Sequence, residues 1–127
     1  MSSLKTHTLV RLSIGLTLLS LALAACGGSG SAAQPEPLAL TLHAQDIKFD
    51  VTALAARVNQ PVSLTYVNEG AIDHAFAVDG LVDQQKVRPG EAVTFTFTPR
   101  AAGAFKFYCA MPGHEMAGMV GTLTVAP

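Results

Sequence analysis

The sequence predicts an all-β protein, an antiparallel Greek-key β-sandwich of about seven to eight strands, in residues 38–127. The first observation is an alternation of apolar and more polar side chains over residues 38–44 and, most regularly, over residues 93–98, where valine and phenylalanine alternate with threonine. A period of two in β-branched and aromatic residues is typical of strands with one buried face. The second observation is that turn-forming clusters separate short apolar runs at regular intervals, as in sandwiches.

Further segments with strand character are residues 51–58, 61–68, 74–78, 104–109 and 120–125. Turn signals containing Gly or Pro lie at residues 59–61, 68–70, 88–90 and 99–103. Residues 52–57 contain three alanines and would also suit a short helix. Because they lie within a regular succession of strands and turns, we predict strand or irregular structure there.

The first 25 residues have the features of an export signal. Lys5 and Arg11 form a basic region around the start of an apolar run, residues 12–23, which is too short to cross a membrane comfortably. A single transmembrane anchor is the alternative, but small residues follow the apolar run where a charged stop would be needed. We therefore predict a signal peptide at residues 1–25.

Residues 23–26, Leu-Ala-Ala-Cys, resemble the lipobox of bacterial lipoproteins. This resemblance implies cleavage before Cys26 and acylation of Cys26. Residues 26–37 would then be the acylated cysteine and a flexible Gly/Ser/Pro linker, followed by the folded domain at residues 38–127. We expect an exported protein that is lipid-anchored to the cell membrane and faces the periplasm or the cell exterior.

The charge balance excludes one class of partner. The chain has 8 Lys and Arg against 9 Asp and Glu, a formal charge of −1. Loss of Lys5 and Arg11 with the signal would lower the formal charge to −3. Nucleic-acid binding requires a basic face, so we expect no nucleic-acid partner.

Cys109 is unusual for an exported chain because it has no cysteine partner. The sequence contains two cysteines, and Cys26 is assigned to the lipid. An unpaired thiol in an oxidising compartment calls for an explanation such as metal binding or reactivity. The alternative is a buried structural cysteine that behaves as a small hydrophobic residue, and the neighbouring residues decide between the two.

Cys109 begins a short loop that offers three kinds of metal ligand. Its thiolate, the imidazole of His114 and the thioether of Met119 follow one another at spacings of five residues. If Phe107 faces the core, alternation directs Cys109 inward as well. Gly118 is expected to let the backbone approach the metal closely. With a second imidazole, these donors form the His₂Cys set with a weak axial Met that suits blue copper.

The second imidazole must come from outside this loop. His74 follows a turn-rich segment and begins the predicted strand at residues 74–78, which places it near one end of the sandwich. A lone histidine there is more often an ordinary polar residue, but His74 would complete the ligand set. His43 lies inside the first predicted strand, and we predict an exposed, non-ligand role for it. His7 leaves with the signal.

The donor set also argues against other metals. Zinc takes four Cys, His or carboxylate ligands, or three plus water, and iron–sulfur clusters need four cysteines. We therefore predict one type I copper ion held by His74, Cys109, His114 and Met119. Four protein ligands leave no obvious open position for a substrate, so we predict a carrier and not an enzyme.

The ligand loop, residues 109–119 (CAMPGHEMAGM), resembles that of cupredoxins, and of auracyanins in particular. Plastocyanin-like proteins share the general plan. The resemblance covers most of residues 38–125 and includes residues 68–70, 73–74, 88–91, 103–109 and 118–125. It implies a cupredoxin-like sandwich with His74, Cys109 and His114 as equatorial copper ligands and Met119 as the axial ligand.

Two positions depart from the cupredoxin pattern. Cupredoxins commonly have Asn after the first ligand His and Ser or Thr after the ligand Cys, and these side chains brace the two ligand loops. This chain has Ala75 and Ala110 there. Backbone N–H groups of Ala75 and Met111 could still donate to the sulfur, so we expect a looser site. Asp73 would favour Cu(II) if it stays ionised and unscreened.

The predicted function is single-electron transfer by a monomeric, membrane-anchored blue copper protein. His114 is bordered by Met111, Pro112 and Met116, an apolar collar suited to brief docking of redox proteins; filling of the sandwich end is the alternative role for these methionines. The competing function is extracytoplasmic copper binding or delivery, with methionines passing Cu(I) onward. A catalytic centre would need a carboxylate ligand and an open position, whereas Met119 occupies the axial place.

Overall fold

The polypeptide forms an all-β structure, as predicted. The computed structural model describes residues 34–127, and this range contains nine strands and no helix. The strands are β1 (Leu38–Gln45), β2 (Lys48–Phe49), β3 (Ala53–Arg57), β4 (Val62–Asn68), β5 (His74–Val78), β6 (Val82–Val87), β7 (Ala92–Phe97), β8 (Gly103–Cys109) and β9 (Val120–Ala126).

The strands pair in two sheets that face each other. One sheet has the order β2-β1-β4-β7 and the other the order β3-β9-β8-β5-β6. Five strand pairs are antiparallel, whereas β1 with β4 and β3 with β9 are parallel. The predicted sandwich is confirmed. The two parallel pairs could not be seen in the side-chain alternation, because alternation indicates the buried face and not the strand direction.

Two strands, β2 and β6, are absent from the sequence prediction. β2 has only two residues, and β6 (VDQQKV) is an edge strand whose four central residues are polar. An edge strand with little buried surface leaves no alternating pattern. Residues 52–57, which would also suit a helix, contain β3, with Leu54 and Ala56 buried beside β9. Pairing with β9 outweighs the helix propensity of alanine.

Aromatic side chains from both sheets fill the core. The ring centroids of Tyr66 (β4) and Phe76 (β5) are 5.9 Å apart, and those of Phe49 (β2) and Phe107 (β8) are 5.2 Å apart. Contacts of this kind bury large apolar areas and add favourable ring–ring interactions. Strand β8 alternates as predicted, so that Phe107 and Cys109 are both buried. The thiol of Cys109 therefore lies inside the sandwich.

The start of β5 and the end of β8 meet at one end of the sandwich. These strands are antiparallel neighbours, and Phe76 lies opposite Cys109. The first residue of β5, His74, is thus brought to the last residue of β8. Strand β9 begins at the same end of the sandwich, with Val120 opposite Tyr108. The loop between β8 and β9 is consequently held at this end by strands on both sides.

The predicted export signal at residues 1–25, Cys26 and most of the linker lie outside the described residues. Residues 34–37 have no regular structure and precede β1; the carbonyl of Glu36 accepts a hydrogen bond from Gln60 Nε2 at 2.8 Å. Among residues 34–127 there is no helix of the length and apolar character that a membrane crossing requires. The domain boundaries before residue 34 stay predictions.

Gly121 is needed where β9 passes Phe107. The two residues are directly opposite in the β8–β9 pair, and a Cβ atom on residue 121 would lie 2.1 Å from Cζ of Phe107. Two carbon atoms cannot approach so closely. The fully buried ring therefore occupies space that any other residue at position 121 would fill.

Gly121→Ala should lower the free energy of unfolding by about 1–3 kcal/mol, because Phe107 must shift within a filled core. Chemical denaturation of the apoprotein measures this change. The control is Thr124→Ala, which removes an exposed side chain from the same strand and should change the free energy by about 0.5 kcal/mol or less. Equal stabilities for the two variants would contradict this account of the packing.

Candidate metal centre

Three of the predicted ligand side chains converge at the end of the sandwich where β5 begins and β8 ends. His74 begins β5, Cys109 ends β8, and His114 lies in the loop that leads to β9. One nitrogen of each imidazole and the sulfur of Cys109 all lie within 4.8 Å of one another. The Cys109 Sγ atom is 3.3 Å from Nδ1 of His114 and 3.8 Å from Nδ1 of His74. Residues distant in the sequence thus form one cluster.

The spacing of these atoms suits a trigonal metal site. Metal–nitrogen bonds of about 2.0 Å and metal–sulfur bonds of about 2.3 Å, spread evenly in a plane, place nitrogen and sulfur about 3.7 Å apart. The two observed nitrogen–sulfur distances, 3.3 and 3.8 Å, lie on either side of that value. The donors are therefore already near the separation that a bound metal requires.

Met119 lies beside this cluster and is fully buried. Its backbone N–H donates to the carbonyl of His114 at 3.0 Å, and its carbonyl accepts from the N–H of Cys109 at 3.0 Å. The backbone of Met119 is thus bonded to both ligands that precede it in the sequence. Its side chain is confined to the interior.

The imidazole of His74 is in the form that binds metals. Burial lowers its pKa, and the neighbouring His114 lowers it further, against smaller opposing effects of Asp46 and Asp73. A histidine with a lowered pKa is neutral near pH 7, and only the neutral ring can bind a metal. Its Nε2 atom is buried with no hydrogen-bond partner among the described residues.

The ligand loop is shaped by its own hydrogen bonds. The N–H groups of His114, Ala117 and Gly118 donate to the carbonyls three or four residues earlier, at 2.9–3.1 Å. Gly118 has a φ of 97°, which favours glycine. A Cβ atom there would meet nothing within 4 Å. The backbone conformation is thus a sufficient reason for this glycine, and its close approach to the metal stays a prediction.

Asn68 organises the loop that leads to His74. Its side-chain amide is buried, donates to the carbonyls of Ile72 (2.8 Å) and Val87 (3.0 Å), and accepts from the N–H of Gly70 (2.9 Å). A buried amide satisfied in this way fixes the loop strongly. In the sequence, residue 68 is recognisable only as part of a turn. The available signal was its place in the inward-facing series Val62, Leu64, Tyr66, Asn68.

Gly70 lies against the imidazole of His74. A Cβ atom on residue 70 would be 3.0 Å from Nε2 of His74 and 3.1 Å from the backbone nitrogen of Asp46. Such contacts are tighter than side chains normally accept. The small residue therefore leaves room for the ligand ring, a role that is not visible in the sequence pattern.

Backbone hydrogen bonds brace the site where the usual side chains are missing. The N–H of Ala75 donates to Cys109 Sγ at 3.3 Å, as expected. In addition, the N–H of Ala110 donates to the carbonyl of Ala75 at 3.0 Å, which joins the two ligand segments directly. Ala75 is fully buried, so these bonds are shielded from water. Alanine at both positions thus leaves the segments connected through their main chains.

Asp73 is ionised but not unscreened. The ammonium of Lys86 lies 2.7 Å from its carboxylate and holds the pKa of Asp73 below its usual value. The paired charges largely cancel at a distance. The preference for Cu(II) was predicted only for an unscreened Asp73. Because Lys86 neutralises the carboxylate charge, that preference is not expected.

His43 lies apart from the ligand cluster. Its Nδ1 atom is 2.7 Å from a carboxylate oxygen of Glu69, and both side chains are partly exposed. Among residues 34–127, the His, Cys and acidic side chains close enough to share a metal ion are His74, Cys109 and His114, and His43 is not one of them. This placement agrees with the predicted non-ligand role.

The chain matches the family model described as a cupredoxin-like domain over residues 15–125. Among curated proteins it is 50% identical over 38 residues to auracyanin-B of Chloroflexus aurantiacus (30% of this chain, 16% of that protein). It is 29% identical over 101 residues to the copper-resistant cuproprotein CopI of Rubrivivax gelatinosus (62% of this chain, 60% of that protein). In both cases the match spans less than two thirds of the relative.

Solved structures share the fold. Reduced auracyanin from Roseiflexus castenholzii has a TM-score of 0.65 at 20% identity and covers 73% of this chain and 100% of that one. Copper nitrite reductase from Nitrosomonas europaea has a TM-score of 0.62 at 23% identity, covering 73% of this chain and 42% of that one. Together with the clustered His, Cys and Met donors, the family match identifies the centre as a type I copper site and copper as its cofactor.

Proposed function

Since the chain belongs to the cupredoxin-like family, we propose that it carries single electrons on a copper ion that His74, Cys109, His114 and Met119 would hold. The observation that supports this best is the buried, closed donor set. The thiol of Cys109, the ring of His74 and the side chain of Met119 have no exposed surface. An electron carrier needs such a site, in which nothing but the electron has to enter or leave.

The residues perform this function by staying in place. Copper supplies a reversible one-electron couple when bound. Imidazole, thiolate and thioether suit both of its oxidation states, so the donors need not rearrange between them. The backbone N–H of Ala75 stabilises the charge on the Cys109 sulfur. Asn68 and the strand pairing hold the two ligand segments, and the apolar core beneath them excludes water.

Catalysis is less well supported than electron transfer. The fold is shared with a copper nitrite reductase, so the fold alone does not exclude an enzyme. A catalytic copper, however, needs an open position for its substrate. Here the proposed fourth ligand, Met119, is fully buried, which supports a closed site without a position for a substrate, and the proposed role is therefore that of a carrier.

Copper handling is the second candidate function. It is favoured by the 29% identity to CopI, named a copper-resistant cuproprotein, and by Met116, whose side chain is 93% exposed. A protein that delivers copper should release it to a competitor. The fully buried Cys109 thiol argues for slow release and hence for electron transfer.

Copper loading of the purified chain distinguishes these functions. We expect one copper per chain, an intense thiolate-to-copper absorption band and reversible one-electron reduction. Cys109→Ser should abolish the band because it removes the thiolate, whereas the matched surface variant His43→Ala should retain it. A colourless protein that gives up copper readily to a chelator would contradict the electron-carrier function. Bleaching by His43→Ala but not by His74→Ala would contradict the ligand assignment.

Redox partners are proposed to dock on the loop around His114. His114 is the ligand with partial exposure, Pro112 and Met116 are exposed, and Met111 is half-buried. A short path through an exposed imidazole edge and a small apolar contact surface suit the brief encounters of electron-transfer proteins. No nucleic-acid partner is proposed.

Two methionines on the loop, Met119 and Met116, provide a matched pair of Met→Gln variants, one buried and one exposed. Met119→Gln should retain copper but shift the reduction potential, because the axial ligand tunes the site. Met116→Gln should leave the potential unchanged and slow electron self-exchange between copies roughly two- to tenfold, an effect of about 0.4–1.4 kcal/mol. Voltammetry and NMR line broadening measure these quantities. An altered potential in Met116→Gln, or unaltered self-exchange, would contradict the assigned surface role.

We also propose that the protein is a lipid-anchored monomer outside the cytoplasm. The proposal rests on the export signal and on Cys26 in its lipobox-like context. Cys26→Ala should move the protein from the membrane to the soluble fraction, because the acyl chains supply the anchorage. Cys109→Ser, which removes the other cysteine, should remain in the membrane. Persistence of Cys26→Ala in the membrane fraction would contradict the anchor. A dimer detected by light scattering of this variant without detergent would contradict the monomer.

A further inference from the structure

Tyr66 carries a buried hydroxyl group for which the fold provides no partner. The side chain is fully buried, and its oxygen has no hydrogen-bond partner among the residues that the structure describes. A buried hydroxyl without a hydrogen bond destabilises a protein, and phenylalanine would fill nearly the same space without that cost. The hydroxyl therefore calls for a role other than packing.

This tyrosine lies beneath the copper site. On β4 it lies two residues before Asn68 and faces the core on the same side of the strand. Asn68 shapes the loop leading to His74. Its ring packs against Phe76 from the other sheet, with centroids 5.9 Å apart. Phe76 is in turn the strand partner of Cys109. One aromatic ring thus separates the position of Tyr66 from that of the ligand cysteine.

The hydroxyl and the cysteine sulfur are also electrostatically coupled. Burial raises the pKa of Tyr66, and the charge of Cys109 raises it further. The phenol accordingly keeps its proton at any working pH. The hydrogen of a tyrosine hydroxyl can rotate toward an available acceptor or negative charge, and with no hydrogen-bond partner among the described residues its positive end is free to turn toward the thiolate.

We propose that the hydroxyl of Tyr66 acts as a dipole beneath the copper site that favours the reduced state, so that Tyr66 sets part of the reduction potential without binding the metal. Gaining an electron makes the site more negative, and a positive dipole end then stabilises it more strongly. Polar groups outside the ligand set adjust metal sites in this way. Tyr66 therefore acts on the charge of the site and not as a ligand. This account rests on the copper site proposed above.

The test compares two tyrosine-to-phenylalanine substitutions in the full chain, purified in detergent. Tyr66→Phe removes the buried hydroxyl, whereas Tyr108→Phe removes a hydroxyl on the outer face, next to Cys109 in sequence, that donates to Asp79 at 2.6 Å. Affinities for Cu(I) and Cu(II) are measured by chelator competition, the potential by voltammetry and the stability of the apoprotein by thermal unfolding.

Tyr66→Phe should lower the ratio of Cu(I) to Cu(II) affinity about three- to tenfold, the size of one modest polar interaction. At 59 mV per tenfold change this lowers the potential by about 30–60 mV. The apoprotein should melt at the same or a higher temperature, because an unpaired buried hydroxyl is gone. Tyr108→Phe should keep the wild-type ratio.

Equal affinity ratios in Tyr66→Phe and wild type would overturn the proposal while leaving the electron-carrier function intact. A shift of equal size in Tyr108→Phe would also overturn it, because the effect would then not come from the buried dipole. A marked loss of apoprotein stability in Tyr66→Phe would show that the hydroxyl has a structural partner and contradict the premise. A wild-type chain that takes up no copper would contradict both the function and this inference.

Discussion

The antiparallel pairing of β5 with β8 is the constraint on which the metal centre depends. It places Phe76 opposite Cys109 and thereby brings the start of one strand, His74, to the end of the other. The same pairing continues beyond the last residue of β8, through the bond from Ala110 N–H to the carbonyl of Ala75. Backbone bonds that build the sheet therefore also fix the ligand geometry, which explains how the site can lack the side-chain brace common in cupredoxins.

Buried polar groups in this protein are concentrated at the metal end of the core. The buried polar side chains of the described range are Asn68 and His74, and both belong to the segment that presents the first ligand. Asn68 is fully satisfied, whereas His74 Nε2 and the Tyr66 hydroxyl have no partner in residues 34–127. Each unsatisfied group costs about 1–3 kcal/mol, which the extensive aromatic core offsets. Strained or costly features of this kind are typical of functional sites.

The loop after Cys109 combines two different surfaces. Its inner side contributes Met119, which is completely buried, and its outer side contributes Met116, which is almost fully exposed. The surface pair of Lys106 with Glu115 ties this loop to the outer face of β8. A rigid inner side protects a copper site, while an exposed apolar outer side suits short-lived contact. This division within one loop suits the proposed electron carrier, and it is also compatible with the similarity to CopI.

The sequence by itself determined the fold class, seven of the nine strands, the inward direction of Cys109 and the set of donors. The fold class, the strands and the direction of Cys109 follow from side-chain alternation, which is local in the chain. The donor set follows from ligand chemistry, with His74 supplied by a distant segment. Strands β2 and β6 were missed because a two-residue strand and a polar edge strand bury too little to leave a pattern.

Only the tertiary structure decided the parallel pairings, the role of Asn68, the space that Gly70 leaves for His74, the pairing of Asp73 with Lys86 and the position of Tyr66 beneath the site. Each depends on contacts between residues that are brought together by strand pairing or loop folding. Alternation along one strand indicates which side chains are buried, but it does not indicate which buried side chains meet.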